Sequence, residues 1–325
     1  MQLFRAFAAR RRCAIVLAAC AAIPIPAQAT FSIAACDRDG NCGVAVATNN
    51  LAVGASVPYA KARVGALVSQ FETNPHYGPQ GLALLAAGRA PEAALKTLLG
   101  DDGDFDGTTI AARQVGIVDA KGRSAIYTGS EAAEAAWAGA EHGDGYAVQG
   151  NGLVGERVLT AIKTAFLSTR GTLAERLMAA LEAGQDAGGQ TIGKLSAALL
   201  VRSVDGDWQD IDLRVDAAAE PILDLRGLLE RHYALQAIIR AEHQAKKGAT
   251  ADARASLSEA LSRSRGWDRI WRRAARLAMA LDDEDRALDC LGVFRSINPA
   301  WAKTELGDEI YKPLRARPLF KDWTR

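Results

Sequence analysis

Thr30 follows Ala27, Gln28 and Ala29 and opens the apolar run TFSIAAC. A hydroxyl is a weak nucleophile near neutral pH and needs a base beside it. Cleavage after Ala29 would give Thr30 both parts: its own hydroxyl, and a free α-amine whose ordinary pKa of about 7.7–8.0 suits a general base. One residue would then hold nucleophile and base with little entropy spent on aligning them. The segment ahead is patterned for such a cut. Arg5 and Arg10 to Arg12 form a basic head, residues 13–23 an apolar stretch, Pro24 and Pro26 a break, and residues 27–29 a small-residue cleavage site. These are the parts of a secretory signal, and the apolar stretch is too short to span a bilayer. The expectation is a signal peptide over 1–29 and a periplasmic or secreted mature chain. LAAC at 17–20 offers the other outcome, a lipoprotein anchored through Cys20, in which Thr30 stays internal and its amine is a peptide nitrogen.

Composition narrows the function classes. The 325 residues carry 39 basic and 38 acidic side chains, a net charge of +1. That is no footprint for nucleic acid or an anionic membrane, and no stretch after the signal reaches membrane length. Of five cysteines, Cys13 and Cys20 lie in the signal, which leaves 5 − 2 = 3. Cys36 and Cys42 flank DRDGN, whose Asp, Gly and Asn suit a hairpin turn. Across paired strands they would form a disulfide in an oxidising compartment or sit as two small buried thiols. Cys290 falls in a helical pattern, as core.

Other chemistry is missing. There is no G-x-S-x-G, no H-E-x-x-H and no zinc-type cysteine spacing. The acidic run at 101–107 lacks EF-hand spacing and reads as a solvated loop. GNGLVG at 150–155 fits a dinucleotide fingerprint, but two helices follow it where a strand should, so its glycines read as turn residues. No metal and no cofactor are expected.

The elements that must position Thr30 follow from periodicity. TFSIAAC and CGVAVAT read as a hairpin, with strands at 51–57 and 64–71 after it. Helices are expected at 78–88 and 90–100, strands at 113–120, 123–129 and 145–150, helices at 155–167 and 172–184, and strands at 196–203 and 208–216. Helices arriving in pairs between groups of strands argue against βαβ alternation and suit two packed sheets between helix layers. After Pro221 the chain turns almost wholly helical. Ala253, Leu257 and Ala260 recur 34 residues on (253 to 287) as Ala287, Leu291 and Phe294, Ala237 and Ala241 as Trp271 and Ala275, and Pro299 falls where a repeat should end. The pattern resembles two tetratricopeptide-type repeats at about 234–267 and 268–301.

Five stretches carry a wider resemblance: TFSIAA, GVAVATNNLAVGASVPYAKARVGALVSQ, TNPHYGPQGLALLAAG, RQVGIVDAKG and GYAVQGNGLVG, in order over roughly 30–215. They resemble DUF1028, an uncharacterised bacterial family placed in the N-terminal nucleophile (Ntn) hydrolase superfamily. The resemblance implies an α+β fold: a four-layer αββα sandwich similar to proteasome subunits over 30–217, followed by a smaller all-α helical-repeat domain over 218–325. Members without a signal begin Met-Thr-Phe-Ser-Ile, where loss of the methionine exposes the threonine.

Site roles follow from the same resemblance. Thr30 would be the nucleophile. Lys61 stands where the lysine of proteasome-type sites opens its strand, a position that often looks like arginine in DUF1028 relatives; the bland reading is a surface lysine. Asn49 stands where an aspartate is usual. The amides of Asn74 and Asn151 would complete the catalytic set by holding an oxyanion, with His76 and Gln149 contacting substrate; each also suits a turn or strand end. The function expected is an exported amidohydrolase acting on a small amide or peptide, with peptidoglycan-derived peptides among the candidates, and with the helical repeats open to a protein partner. The alternative is a non-catalytic envelope binding or scaffold protein on the same fold.

Overall fold

The computed structural model describes residues 29–206 and 210–324. Residues 1–28, on which the expected signal peptide and Cys20 fall, lie outside them. β1 (Thr30–Cys36) and β2 (Cys42–Thr48) form the expected hairpin, and every residue of both strands is buried. β3 (Pro58–Lys61) and β4 (Gly65–Phe71) follow, then α1 (Tyr77–Ala86) and α2 (Pro91–Gly100). Next come β5 (Arg113–Asp119), β6 (Ser124–Thr128), the short α3 (Ser130–Glu134), β7 (Trp137–Gly143) and β8 (Tyr146–Leu153). α4 (Arg157–Ser168), α5 (Leu173–Asp186), β9 (Ser196–Arg202) and β10 (Ile211–Val215) complete this part.

The strands form two sheets, β10-β9-β2-β1-β8-β7 and β3-β4-β5-β6. All the ladders are antiparallel. Period-two alternation sorts their side chains. Phe31, Ile33 and Ala35 of β1 pack with Val158, Leu159, Ile162 and Phe166 of α4 and with α5. Ala34 and Cys36 turn the other way and meet Ala66 and Val68 of β4. Leu67, Val115 and Ile117 leave the far face of the second sheet to pack on α1 and α2. Strands covered on both faces explain their near-continuous apolar runs.

Two expectations change. Residues 51–57 are not a strand: the chain turns through Ala52 at φ 53° and makes a 3-10 turn at Val53–Ala55. A Cβ on Gly54 would lie 2.7 Å from both Ala198 Cβ and Arg214 Cγ, so this loop is pressed against β9 and β10 and pairing starts only at Pro58. β7 was not foreseen, because WAGAEHG is partly exposed and lacks an apolar period.

Beyond Asp216 the chain is helical: α6 (Pro221–Lys246), α7 (Thr250–Arg263), α8 (Asp268–Ala280), α9 (Glu284–Ile297), α10 (Pro299–Glu305) and α11 (Pro318–Thr324). Pro221 and Pro299 sit at helix starts, where their missing N–H costs nothing. Ala253, Leu257, Ala260, Ala287, Leu291 and Phe294 are all buried in the helical core. The boundary expected at 217–218 falls in the turn before α6, yet the first core crosses it. Ile222, Leu225 and Leu229 join the first core against β9, β10 and α5, while Ala234, Ala237, Ile238 and Ala241 of the same helix belong to the second core. One 26-residue helix serves both.

Candidate active site

Thr30 begins β1 with its side chain turned between the sheets, opposite Thr48 on one side and Asn151 on the other. It is only 5% exposed. Its Oγ1 lies 3.0 Å from Thr48 Oγ1. Thr48 has one hydroxyl proton and gives it to the Ala29 carbonyl at 2.8 Å. The Thr30 hydroxyl is therefore the donor to Thr48. The Ala29 carbonyl, which belongs to the peptide bond ahead of Thr30, also accepts from Asn49 N–H at 3.4 Å.

Behind Thr30 the inter-sheet layer changes from apolar to polar. Gln70 Nε2 donates to the Thr30 carbonyl at 3.4 Å and to Gln114 Oε1 at 2.8 Å, and Gln70 Oε1 accepts from Ser32 Oγ at 2.6 Å. Gln114 Oε1 also accepts from Asn151 Nδ2 at 2.9 Å, and Gln114 Nε2 donates to the Gly150 carbonyl at 3.1 Å. Gln149 Nε2 donates to the Gln114 carbonyl at 3.3 Å. Asn151 Oδ1 and Gln149 Oε1 are buried with no partner among the described residues. Each of these amides is nevertheless held through its nitrogen, so the layer fixes its side chains.

In front of Thr30 lies a cavity of about 50 Å³, walled by Thr48, Val53, Ser56, Val57, Gln70 and Thr73 and edged by Asn50, Leu51 and Phe71. No lining residue is charged. Leu51 at its edge is 65% exposed. Ala52, beside that edge, and Phe71 hold positive φ of 53° and 66°. Left-handed backbone at residues other than glycine is strained and tends to mark functional segments.

The other residues singled out from the sequence are placed as follows. Asn151 and Gln149 join the polar layer. Asn49 is adjacent through its backbone, but its Nδ2 donates to the Ile192 carbonyl at 3.0 Å. Asn74 lies just past the cavity edge with both polar atoms engaged: Nδ2 donates to Asp102 Oδ2 at 3.0 Å and Oδ1 accepts from His76 N–H at 3.0 Å. His76 is exposed, edge-on to Phe105 at 5.3 Å.

Lys61 is not brought to Thr30. It pairs with Gly65, the first residue of β4, whereas Gln70 near the far end of β4 meets Thr30. The adjoining Arg63 N–H donates to the carbonyl of Gly40 in the β1–β2 turn, at the opposite end of the sheets. Cys36 and Cys42 form a disulfide with S–S 2.08 Å.

Thr48, Gln70, Gln114 and Ser32 were not singled out from the sequence. Thr48 was within reach: if Cys36 faces Cys42, the same register places Thr48 opposite Thr30, since 36 + 42 = 30 + 48. The two glutamines were visible as polar residues inside apolar strands, VSQF and RQVGIV.

A second cluster braces the segment after Phe71. Arg113, 1% exposed, bonds Asp102 through Nε at 3.1 Å and Nη2 at 3.2 Å, and also reaches the carbonyls of Glu72, Phe105 and Thr108. Tyr77 Oη donates to Asp102 at 2.5 Å. Burial alone would raise the Asp102 carboxyl, but the bonds from Arg113, Tyr77 and Asn74 outweigh it and hold the carboxyl below its ordinary value. The Tyr77 phenol is pushed up, first by burial and then by Asp102. Among the described residues no group of three or more His, Cys, Asp or Glu side chains is placed to hold a metal ion, and no helix is long and apolar enough to cross a membrane.

A strand that begins with a hydroxyl residue, buried between two antiparallel sheets beside a small neutral cavity, defines the class to which this chain can be compared. Residues 30–225 match the family of unknown function DUF1028, and the chain belongs to that family. It is similar to protein SPO2555 from Silicibacter pomeroyi, a DUF1028 crystal structure, with 33% sequence identity and a TM-score of 0.56 over 62% of this chain and 88% of that one. No curated protein matches the chain.

Proposed function

We propose that the mature chain, exported and cut after Ala29, is an N-terminal-nucleophile amidohydrolase built on an Ntn-type αββα layering and followed by tetratricopeptide-like helix pairs. One observation carries this reading: the Thr30 hydroxyl opens a strand at the edge of a cavity, held by Thr48, with the peptide carbonyl to be released bonded beside it. After cleavage the Thr30 amine would take the hydroxyl proton as Oγ1 attacks the substrate's acyl carbon. The O–C bond forms, the C–N bond breaks, and the amine passes its proton to the leaving nitrogen. Water then hydrolyses the ester by the reverse relay. Thr48 Oγ–H and Asn49 N–H, freed from the Ala29 carbonyl, remain as donors for a developing oxyanion. No charged side chain lines the cavity among the described residues, which supports the amine itself as the base.

The cavity also narrows the substrate. At about 50 Å³ it holds a few water-sized groups, and its walls are hydroxyls, an amide and short apolar side chains. These walls suit a small uncharged acyl group better than an aromatic or ionised one. A second reading, a non-catalytic envelope scaffold, draws on the lack of a cation among the described residues that line the cavity.

The test uses the chain beginning at Thr30 and β-lactone probes of graded size. A methyl-substituted probe should acylate Thr30, seen by intact mass and peptide mapping, while benzyl- and carboxylate-bearing probes should not. Thr30→Ala should abolish labelling. Labelling elsewhere, or by no probe, would end the nucleophile reading; equal labelling by all probes would end only the substrate assignment.

A further inference from the structure

A second cavity lies in the helical part, away from Thr30. A groove of about 720 Å³ runs between α6 and α8, within the range of ligand sites. Five cationic side chains line it: Lys246 at the end of α6, and Arg269, Arg272, Arg273 and Arg276 on α8. The four arginines are spaced i, i+3, i+4 and i+7, which aligns them on one helix face.

Three of the five are braced by carboxylates. Arg273 grips Glu242 through two bonds of 2.8 and 2.6 Å. Glu305, only 4% exposed, takes Arg272 Nε at 2.5 Å and Arg276 Nη1 at 2.6 Å, and Asp308 takes Arg276 at 2.9 Å. Five cations against three carboxylates leave a surplus of 5 − 3 = 2. The two without a carboxylate partner among the described residues, Lys246 and Arg269, are exposed. Arg272 and Arg276 keep further N–H donors beyond those bonds, since a guanidinium carries five. Between the charges the walls are apolar: Leu235, Ala245, Leu277 and the Trp267 ring.

Held guanidiniums with spare donors, an uncompensated double positive charge and apolar walls describe a particular occupant. We propose that the α6–α8 groove binds a short acidic peptide segment of a partner protein, two carboxylates meeting Lys246 and Arg269 and an apolar side chain lying against Trp267 and Leu277. Nucleic acid fits less well. Much of the wall would meet phosphates with carbon, and the chain as a whole carries a net charge of only +1. The site is independent of the chemistry at Thr30.

The full chain beginning at Thr30 should be immobilised and a random heptapeptide display library selected on it. A parallel selection should use the double variant Lys246→Glu/Arg269→Glu, with far-UV circular dichroism and thermal melting to show that it folds. The expected result is enrichment of Asp- or Glu-containing peptides with one apolar residue on the native chain and not on the variant. By fluorescence anisotropy the most enriched peptide should bind roughly tenfold or more weakly to the variant, and so should its Asn/Gln counterpart to the native chain, with affinity falling as salt rises. No enrichment, enrichment of neutral sequences, equal binding to the variant, or tighter binding of a labelled oligonucleotide would overturn the proposal.

Discussion

At the scale of the residue, Thr30 depends on two neighbours with different duties. Thr48 positions its hydroxyl from 3.0 Å. Replacing Thr48 by Val keeps the shape and removes that hydrogen-bond partner. The expected outcome is a near-native melting temperature with a drop of roughly tenfold to a hundredfold in the rate of Thr30 acylation, since misorientation at a nucleophile is costly. Thr48→Ser should restore much of the rate. Gln114 is instead the centre of the buried amide layer, where its Oε1 serves both Gln70 and Asn151. Gln114→Leu strands two buried amide donors, each costing about 1–3 kcal/mol, so denaturant unfolding should show a loss in that range or above it. A loss under about 0.5 kcal/mol, the ordinary scatter of surface substitutions, would mean that the layer is not the structural element described.

At the scale of the element, the fold was legible where periodicity is strong and obscure where packing decides. The β1–β2 hairpin could be read because its turn chemistry and apolar runs agree, and its register even contained Thr48. Lys61 was misplaced because a strand's position in the chain order does not say which of its ends meets a nucleophile; antiparallel pairing of β3 with β4 sends it to the far end. The polar layer itself was not legible, because Gln70 and Gln114 acquire a role only when the two sheets face each other. Asp102 falls in an acidic run whose composition suits a solvated loop, yet Arg113 draws it inside. That pair ties the loop before β5 to the segment after Phe71. Removing one partner leaves the other charge uncompensated, so Arg113→Ala should cost about 3–5 kcal/mol. The carboxyl is depressed in the folded state, so its contribution is fully present above the unfolded value of about 3.9 and is lost as pH falls through the lower folded value. Stability of the wild type measured against pH should therefore decline below about pH 4, and Arg113→Ala should show a shallower decline there.

At the scale of the whole molecule, α6 joins the two cores, so a cut in the turn before it does not release an intact first domain. A chain of residues 30–217 lacks Ile222, Leu225 and Leu229, which cover part of the first sheet, and Arg226, which holds Glu175 at 2.7 Å and Glu182 at 2.8 and 2.7 Å. The loss should be on the order of 5 kcal/mol, from burial of three large apolar side chains. A chain ending after residue 232 should melt well above it; equal melting temperatures would place the domain boundary at 217 after all. The N-terminus decides the function. If the chain is processed as proposed, intact mass of the protein made in cells from its full sequence should give a chain starting at Thr30 with a free amine, and a lipid-modified Cys20 would contradict the route proposed. The most direct measurement compares two purified forms that differ by one residue, one starting at Thr30 and one at Ala29, in the rate of acylation by the methyl-substituted β-lactone near pH 8. Both keep the hydroxyl, Thr48 and the cavity; only the first has an amine on Thr30. Acylation of the Thr30 form with none of the Ala29 form is the predicted result, and equal acylation of both would contradict an N-terminal amine as the base.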